Sequence, residues 1–376
     1  MKKVLVVLGV FCACVSAFAA GPVDVLVSEN VTYDDNIYLT PRKNHTESII
    51  FSTRAGLSYK NQLPETGLNL TAGGAIGYNA YTKHPNQNNF WDGSANVGIE
   101  NENLKVKDAF LFTSEPANSE QTDRTKRINN KFTASYTTTH EKLFSIGLSV
   151  GDNFNRYLAS KMHYLNRNRV DLGAQIYYNF TPVSNVFVEY AFSDTVYREN
   201  QVNNSVGHSV GLGVNTQIAS KVSGTAKVTY DMRDYSHDYL NTSNHPDLFG
   251  YYAALTWKAT ALDTFTLSGE RSMEETMFGA NRYFADTLVL LRAQHQFNSK
   301  WMVALATGWE NLNYATRLDD GKKRNDNLFT IRPELNYAFQ DWLVGSVWYQ
   351  FRTRNSNMDW ADYDSNKGGV MIRAIF

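Results

Sequence analysis

Apolar and polar residues alternate one by one along most of the chain. In FSIGLSV (144–150) every second residue is large and apolar, and serine or glycine stands between. The same period of two runs through DLGAQIYYNF (171–180), VGHSVGLGVNTQI (206–218) and LFTIRPELNYAF (328–339). This period is typical of a β-strand with one apolar and one polar face. Beyond the N-terminal stretch no comparable 3.6-residue pattern occurs, so the pattern predicts a chain built of strands.

The connections between these strands alternate between two classes. One class is short, such as NEN (101–103), TPVSN (181–185) and FQD (339–341). The other is longer and more polar, such as SEPANSEQTDRTK (114–126), RLDDGKKRND (317–326) and NSNMDWADYDSN (355–366). Short turns at one end and long loops at the other are typical of outer-membrane barrels. The sequence therefore predicts an all-β fold, a transmembrane up-and-down antiparallel β-barrel of about 18 strands, with 16 as the alternative if one hairpin is merged. Short periplasmic turns and longer extracellular loops follow from this wiring, and an even strand count places both termini on the periplasmic side.

Aromatic residues cluster beside the short turns. Aromatics make up 13% of the chain, with 22 Tyr, 21 Phe and 7 Trp against 8 Pro. The residues concerned are Tyr59, Phe180, Phe187, Trp257, Phe265, Phe297, Trp301, Phe339 and Trp342. Rings of this kind favour the boundary between membrane and water. The alternative is a soluble sandwich, but the predicted strands of ~10–14 residues exceed the ~5–6 of soluble sheets and match the ~9–11 needed to cross a bilayer.

The N-terminus has the pattern of a secretory signal peptide. Lys2 and Lys3 precede an apolar stretch from Val4 to Val15, and Ala17-Phe18-Ala19 forms a small-x-small cleavage site. We predict a signal peptide at residues 1–19 and a barrel over residues 20–376. Cys12 and Cys14 both lie in the predicted signal and lack a Leu-led lipobox, so a lipid anchor is the less favoured alternative. The mature chain would contain no disulfide and no thiolate metal site.

Two segments carry a resemblance to known proteins. YDDNIY (33–38) resembles the opening strand of the putative beta-barrel porin type 2 family of bacterial outer-membrane proteins. The terminal GVMIRAIF is similar to the C-terminal assembly signal of bacterial outer-membrane barrels, carried by Ile372, Ala374 and Phe376. The small Ala374 departs from that signal, where a larger apolar residue is common. The resemblance implies an outer-membrane location among lipid, recognition by the barrel-assembly machinery through strand pairing, a porin-like role and no catalytic residues.

Charged residues fall on the polar face of several predicted strands. The pore-lining candidates are Arg54, Asp171, Glu189, Lys227, Glu270, Arg292, Glu310, Arg332 and Glu334. One interpretation is a charged constriction that filters solutes by sign and size. The other is a ladder of ion pairs between strands, each contributing only ~0.2–1 kcal/mol. Because both signs occur, the sequence predicts weak charge selectivity.

The long segment 114–126 is a candidate constriction loop. It carries Arg124 and Lys126, and Arg127 follows directly. A barrel of 16–18 strands is wide enough for an aqueous channel unless a loop folds inward.

Other classes of site have little support. The formal charge of -1 gives no electrostatic basis for binding nucleic acid. The histidines lack metal-ligand spacing, and the loop acids Asp359, Asp362 and Asp364, like Asp319 and Asp320, lack the full spacing of a calcium loop. His208 and Ser209 are neighbours on a strand, so their side chains point to opposite faces. We therefore predict no enzyme activity, no metal and no cofactor.

The function predicted from the sequence is passive diffusion of small polar solutes. The alternatives are a conduit for an exported polysaccharide and a non-conducting surface adhesin or structural barrel. The oligomeric state is left open by the sequence.

Overall fold

The computed structural model describes residues 22–122, 124–138, 143–237, 243–278, 281–317 and 321–376. The predicted signal peptide at 1–19 lies outside the described residues. The strands are β1 Val23–Asp34, β2 Ser48–Leu63, β3 Leu68–Tyr81, β4 Phe90–Glu100, β5 Leu104–Thr113, β6 Arg127–Thr137, β7 Phe144–Tyr157, β8 Arg167–Thr181, β9 Ser184–Tyr197, β10 Ser205–Ala219, β11 Val222–Tyr235, β12 Asp247–Trp257, β13 Asp263–Glu275, β14 Tyr283–Gln296, β15 Trp301–Arg317, β16 Lys323–Gln340, β17 Leu343–Ser356 and β18 Tyr363–Ile375. One short α-helix, Pro85–Asn88, and 3-10 turns at Arg42–Asn44, Ser160–Leu165, Gln201–Asn203 and Asp359–Ala361 lie in the connections. None of the helices in these ranges is long and apolar enough to cross a membrane.

The strands form one closed antiparallel barrel. Each strand pairs with the next in sequence, and β1 also pairs with β18, so the sheet has no free edge. Eighteen strands are therefore present and the alternative of 16 is wrong. Val25 and Phe376 exchange both backbone hydrogen bonds, at 2.9 and 3.0 Å, which places the two ends of the barrel sequence side by side.

The two classes of connection are confirmed, with loop boundaries to correct. The predicted loop at 317–326 is shorter than expected, because β15 extends to Arg317 and β16 begins at Lys323, and the predicted loop at 355–366 is shorter because β17 extends to Ser356 and β18 begins at Tyr363. The consecutive charged and polar residues of KRND gave this stretch the composition of a loop. Arg324 and Asp326 instead lie on the inward-facing positions of β16, where polar side chains are accommodated.

The outward face is apolar and the inward face is polar along the strands. On β7, Phe144, Ile146 and Leu148 are exposed on the outside, whereas Ser145 between them is buried. Aromatic residues near the short turns contact one another in pairs: Trp257 with Phe265, Trp301 with Tyr337 and Trp342 with Phe376, with ring centroids 4.5–5.4 Å apart. This belt of rings matches the girdle expected at a membrane boundary.

The prediction that Phe187 belongs to the outward aromatic girdle is wrong. Val186 and Val188 occupy the outward positions of β9, so Phe187 points inward and is buried. Its ring lies 5.5 Å from that of Tyr177 and fills the space above Gly213, where a Cβ atom would come within 2.3 Å of it. An aromatic ring next to a short turn can thus point outward or inward, and its place in the alternation of the strand determines the direction.

Several carboxylates interrupt the outward apolar face. Glu29, Asp108 and Asp152 each share the outward parity of apolar neighbours on β1, β5 and β7. Each accepts a hydrogen bond from a neighbouring strand, donated by Thr53 at 2.8 Å, Asn130 at 2.7 Å and Asn168 at 2.8 Å, respectively. Such pairing lowers the cost of placing a polar group on an apolar wall.

Deleting Phe376 is expected to reduce assembly strongly. The deletion removes two hydrogen bonds to Val25 at the end of the β1–β18 pairing that closes the barrel, and the ring stacked 5.2 Å from Trp342. The measurement is the amount of heat-modifiable folded barrel in membranes, compared with a control variant in which the exposed Trp360 is replaced by alanine. Normal levels of folded protein without Phe376 would show that the terminal residue is no assembly signal.

Candidate functional site: a loop across the barrel lumen

All nine predicted pore-lining residues lie on inward-facing positions. Their strand neighbours on the opposite parity are the exposed apolar residues of the outer wall, for example Val188 beside Glu189 and Trp309 beside Glu310. The residues placed on the inner wall are Arg54, Asp171, Glu189, Lys227, Glu270, Arg292, Glu310, Arg332 and Glu334. They spread over eight strands and do not converge on one point.

Two of the ion pairs reach across an intervening strand. Arg54 on β2 contacts Asp92 on β4 at 2.7 Å, with Gly77 of β3 between them. Lys227 on β11 contacts Glu189 on β9 at 2.6 Å, over Gly211 of β10. A Cβ atom at either glycine would approach the acidic side chain to 2.8–2.9 Å, so the missing side chain makes room for the pair.

The remaining predicted charges do not form a continuous ladder. Arg332 pairs with Glu334 on its own strand at 3.2 Å and lies over the Trp348 ring at 4.4 Å. Asp171 pairs in the same way with Arg169 at 2.8 Å. Within the described ranges, Glu270 and Arg292 have no ion pair, and Glu310 bonds to a loop residue instead. The structure thus contains separate pairs rather than the alternating cross-strand ladder.

Charges of each sign cluster on different arcs of the inner wall, although Arg292 lies on the acidic arc. Asp286 on β14 lies in the electrostatic field of Glu270, Glu274 and Glu310 on the neighbouring strands β13 and β15. Three lysines, Lys105, Lys107 and Lys131, lie on inward positions of β5 and β6, and Lys107 pairs with Glu100 at 3.4 Å. An acidic arc therefore lies across the lumen from a basic one.

The segment 114–126 folds into the lumen and reaches the far wall. It leaves β5 and returns in β6, yet the Ser119 hydroxyl donates a hydrogen bond to Glu310 on β15. Arg354 on β17 donates to the Ser119 carbonyl and, at 3.3 Å, to the Glu120 carbonyl. Since β15 is eight strands from β5 by the shorter way around the ring, the loop spans nearly the whole lumen.

Glu120 joins this loop to the β13–β14 connection. Its carboxylate accepts hydrogen bonds from the Thr276 hydroxyl and, at 2.6 Å, from the Met277 backbone N–H. The side chain is buried, and this burial raises the pKa of the Glu120 carboxyl group, although the two donated bonds oppose the shift. These bonds hold the 114–126 loop and the β13–β14 connection together.

The three predicted constriction-loop cations have different environments. Arg124 pairs with Glu115 and lies 4.8 Å from the Tyr81 ring centroid. Arg127 is buried at the start of β6, and its Nε donates to the Glu115 carbonyl at 3.4 Å. Lys126 is exposed, while its backbone carbonyl accepts a hydrogen bond from Leu158. These residues fix the base of the loop, whereas Ser119 and Glu120, which sequence reasoning missed, make its far contacts.

A buried ion network supports the docked loop from the wall. Asp326 is fully buried (0% exposed) and accepts three hydrogen bonds from Arg324 at 2.6–3.0 Å and one from Ser356 at 2.7 Å. Arg354, which also binds the loop, has its Nε 3.7 Å from the same carboxylate. A second network joins Glu275 to Arg167 and, at 3.9 Å, to Arg233. Inward parity on β16 and β17 is the signal that identifies Arg324, Asp326 and Arg354, whereas Glu275 has the outward parity of Leu267 on β13 and no such signal.

Two of the loop acids considered for calcium are engaged by protein groups. Asp362 accepts a hydrogen bond from the Ser356 backbone N–H at 2.5 Å, and Asp364 pairs with Arg42 at 3.3 Å. Asp319 and Asp320 lie outside the described residues. In the part of the chain that is described, no three His, Cys, Asp or Glu side chains converge as a metal site would require.

Several solved structures of Pseudomonas aeruginosa proteins share this architecture. Pseudomonas aeruginosa OccK2 (OpdF) has a TM-score of 0.53 and 10% identity, covering 94% of this chain and 98% of its own. P. aeruginosa OpdK, solved with vanillate, has a TM-score of 0.52 and 11% identity over the same shares, and P. aeruginosa OpdQ has a TM-score of 0.52 and 10% identity over them as well. At these identities the likeness shows the fold alone. No curated protein matches the sequence significantly.

The family comparison covers almost the whole barrel. The family model described as "Putative beta-barrel porin 2" matches residues 24–376. This range begins at the second residue of β1 and ends at Phe376, so all eighteen strands are included. The chain belongs to the putative beta-barrel porin 2 family and is a multi-pass β-barrel of the outer membrane.

Proposed function

We propose that the protein is a weakly charge-selective channel for passive diffusion of small polar solutes. The observation that carries this proposal is a closed 18-strand barrel with a polar inner wall, crossed by a loop that reaches from β5 to β15 and β17. Barrels of 16–18 strands enclose an aqueous channel. The inward loop reduces the open cross-section, so small solutes rather than folded domains or thick polymers fit the remaining passage.

The charge arrangement supports weak selectivity. Arg54, Glu189, Lys227 and Arg332 are each neutralised by a partner within 4 Å. The acidic arc on β13–β15 and the lysines of β5 and β6 oppose each other, so a cation and an anion each find one favourable side of the passage. Opposed charges also align the dipole of a polar solute across the lumen.

The proposal is tested by the reversal potential of the purified protein in planar bilayers. Under a tenfold KCl gradient we expect current steps that reverse near zero voltage, because neither ion is excluded. A matched variant, Lys107→Glu, adds a negative charge to the basic arc and is expected to shift reversal toward cation preference. A strongly one-sided permeability ratio in the native protein would refute weak selectivity.

The two alternative functions would give different single-channel recordings. Absence of current steps would favour a surface adhesin or structural barrel. Current steps that are blocked by long polysaccharides, together with poor passage of small solutes through the channel, would favour a polysaccharide conduit. Both results would contradict diffusion of small solutes as the function.

A further inference from the structure

A cavity of about 270 Å³ opens between the inward loops at the long-loop end of the barrel. It lies between the tip of the 114–126 loop, the β13–β14 connection and the turn at Asp359–Ala361. Its walls combine buried polar groups with the apolar side chains of Met162, Phe278 and Trp360. Pockets that bind small ligands commonly have this composition of apolar walls and a few convergent polar groups.

Two buried N–H donors at this cavity have no hydrogen-bond acceptor within the described chain. Gln121 is 6% exposed; its Oε1 accepts from the Ala117 backbone N–H at 3.0 Å, whereas its Nε2 is unpaired. The Nε of Arg354 is likewise without a hydrogen bond, although it lies 3.7 Å from the Asp326 carboxylate. Buried donors are nearly always paired in folded proteins, so these two groups call for an acceptor from outside the chain.

An exposed aromatic ring borders the same cavity. Trp360 is 54% exposed, although it stacks on Phe278 with ring centroids 5.3 Å apart and an interplanar angle of 22°. The Arg324 guanidinium lies 4.8 Å from the Trp360 ring centroid and holds the indole from one side. An indole fixed in this way offers a rigid, apolar surface to the C–H face of a ligand ring.

The charges around the cavity are already balanced. Arg324 and Arg354 both contact Asp326, and Glu120 carries the second acidic group. A ligand carboxylate would add an uncompensated negative charge beside Glu120. A ligand cation would add a positive charge beside Arg324 and Arg354. The site therefore fits a neutral ligand that offers oxygen acceptors on its rim and C–H groups on its face.

We propose that this cavity binds a neutral sugar ring, with hydroxyl oxygens accepting from Gln121 and Arg354 and the ring packed on Trp360. This inference rests on the proposed channel function, because a sugar held here lies at the entrance to the passage narrowed by the loop. It adds a solute class, neutral saccharides, to the general diffusion proposed above.

The test is block of single-channel current by maltose added to the long-loop side of the native protein. We expect saturable, concentration-dependent block, no block by the open-chain polyol sorbitol, and none by the aromatic anion benzoate. Trp360→Ala and Gln121→Leu are each expected to raise the half-blocking maltose concentration at least tenfold, and Trp360→Ala, which lies outside the constriction loop, is expected to leave the open-channel current unchanged. Trp309→Ala, on the outer wall of β15, is the matched control and is expected to leave block unchanged.

The outcomes separate the two proposals. Normal current that maltose does not block would overturn sugar binding and leave the proposed channel function intact. Block of the current by benzoate but not by maltose would have the same meaning. If the native protein carries no current, the channel function fails, and sugar binding is then judged by tryptophan fluorescence of the detergent-solubilised protein. A maltose-dependent change that is lost in Trp360→Ala would support the site, and its absence would overturn it.

Discussion

Asp326→Asn is expected to destabilise the barrel by about 3–5 kcal/mol, because it leaves two buried arginines without their counter-charge. The carboxylate is fully buried, receives three hydrogen bonds from Arg324 and lies 3.7 Å from the Arg354 Nε. Asparagine has nearly the same shape, so the change isolates the charge. The measurement is the denaturant midpoint of the folded protein, followed by its heat-modifiable band on gels.

A matched control lies on the same strand. Glu334 pairs with Arg332 two residues away, as Asp326 does with Arg324, but its side chain is 25% exposed and that of Arg332 is 40% exposed. Glu334→Gln is therefore expected to cost only about 0–1 kcal/mol. Equal losses in the two variants would show that burial of the Asp326 network does not stabilise the barrel.

Glu120→Ala is expected to release the 114–126 loop from the β13–β14 connection and to enlarge the single-channel current. The change removes acceptors for Thr276 and Met277, and hydrogen bonds to charged groups contribute about 1.5–3 kcal/mol each, so the undocked population should rise at least about tenfold. Recordings in planar bilayers should show larger openings and more open-channel noise.

Glu115→Ala is the matched control for the loop. Glu115 belongs to the same segment and pairs with Arg124, but its side chain is 55% exposed. Its loss should leave the far contacts of Ser119 and Glu120 in place and the current close to that of the native protein. Identical currents in the native protein and Glu120→Ala would contradict a loop held by this carboxylate.

The sequence predicts the barrel well because the membrane imposes a simple pattern. Alternation in FSIGLSV and the aromatic rings near the short turns indicate strands with one outward apolar face, and the structure confirms their number and wiring. Parity alone also places residues such as Glu189 and Arg332 on the inner wall. These features are local, since each depends only on neighbours along one strand.

The contacts across the lumen could not be predicted in this way. Ser119 meets Glu310 from 191 residues away, and Glu120 meets Met277 from 157 residues away. Neither contact has a periodic signature, and both depend on how a 13-residue loop folds inside a closed ring. Arg324 and Asp326 were missed for a different reason, because charged residues in an extended strand have the composition of a loop.

The most direct test of a channel narrowed by its own loop is polymer exclusion in single-channel recordings. Poly(ethylene glycol) of increasing size is added to the native protein and to a variant lacking residues 116–122. We predict that only small polymers enter the native channel and lower its conductance, and that the variant admits distinctly larger ones. No current in the native protein, or the same size limit in both proteins, would contradict the proposal that the 114–126 loop forms the constriction of an open pore.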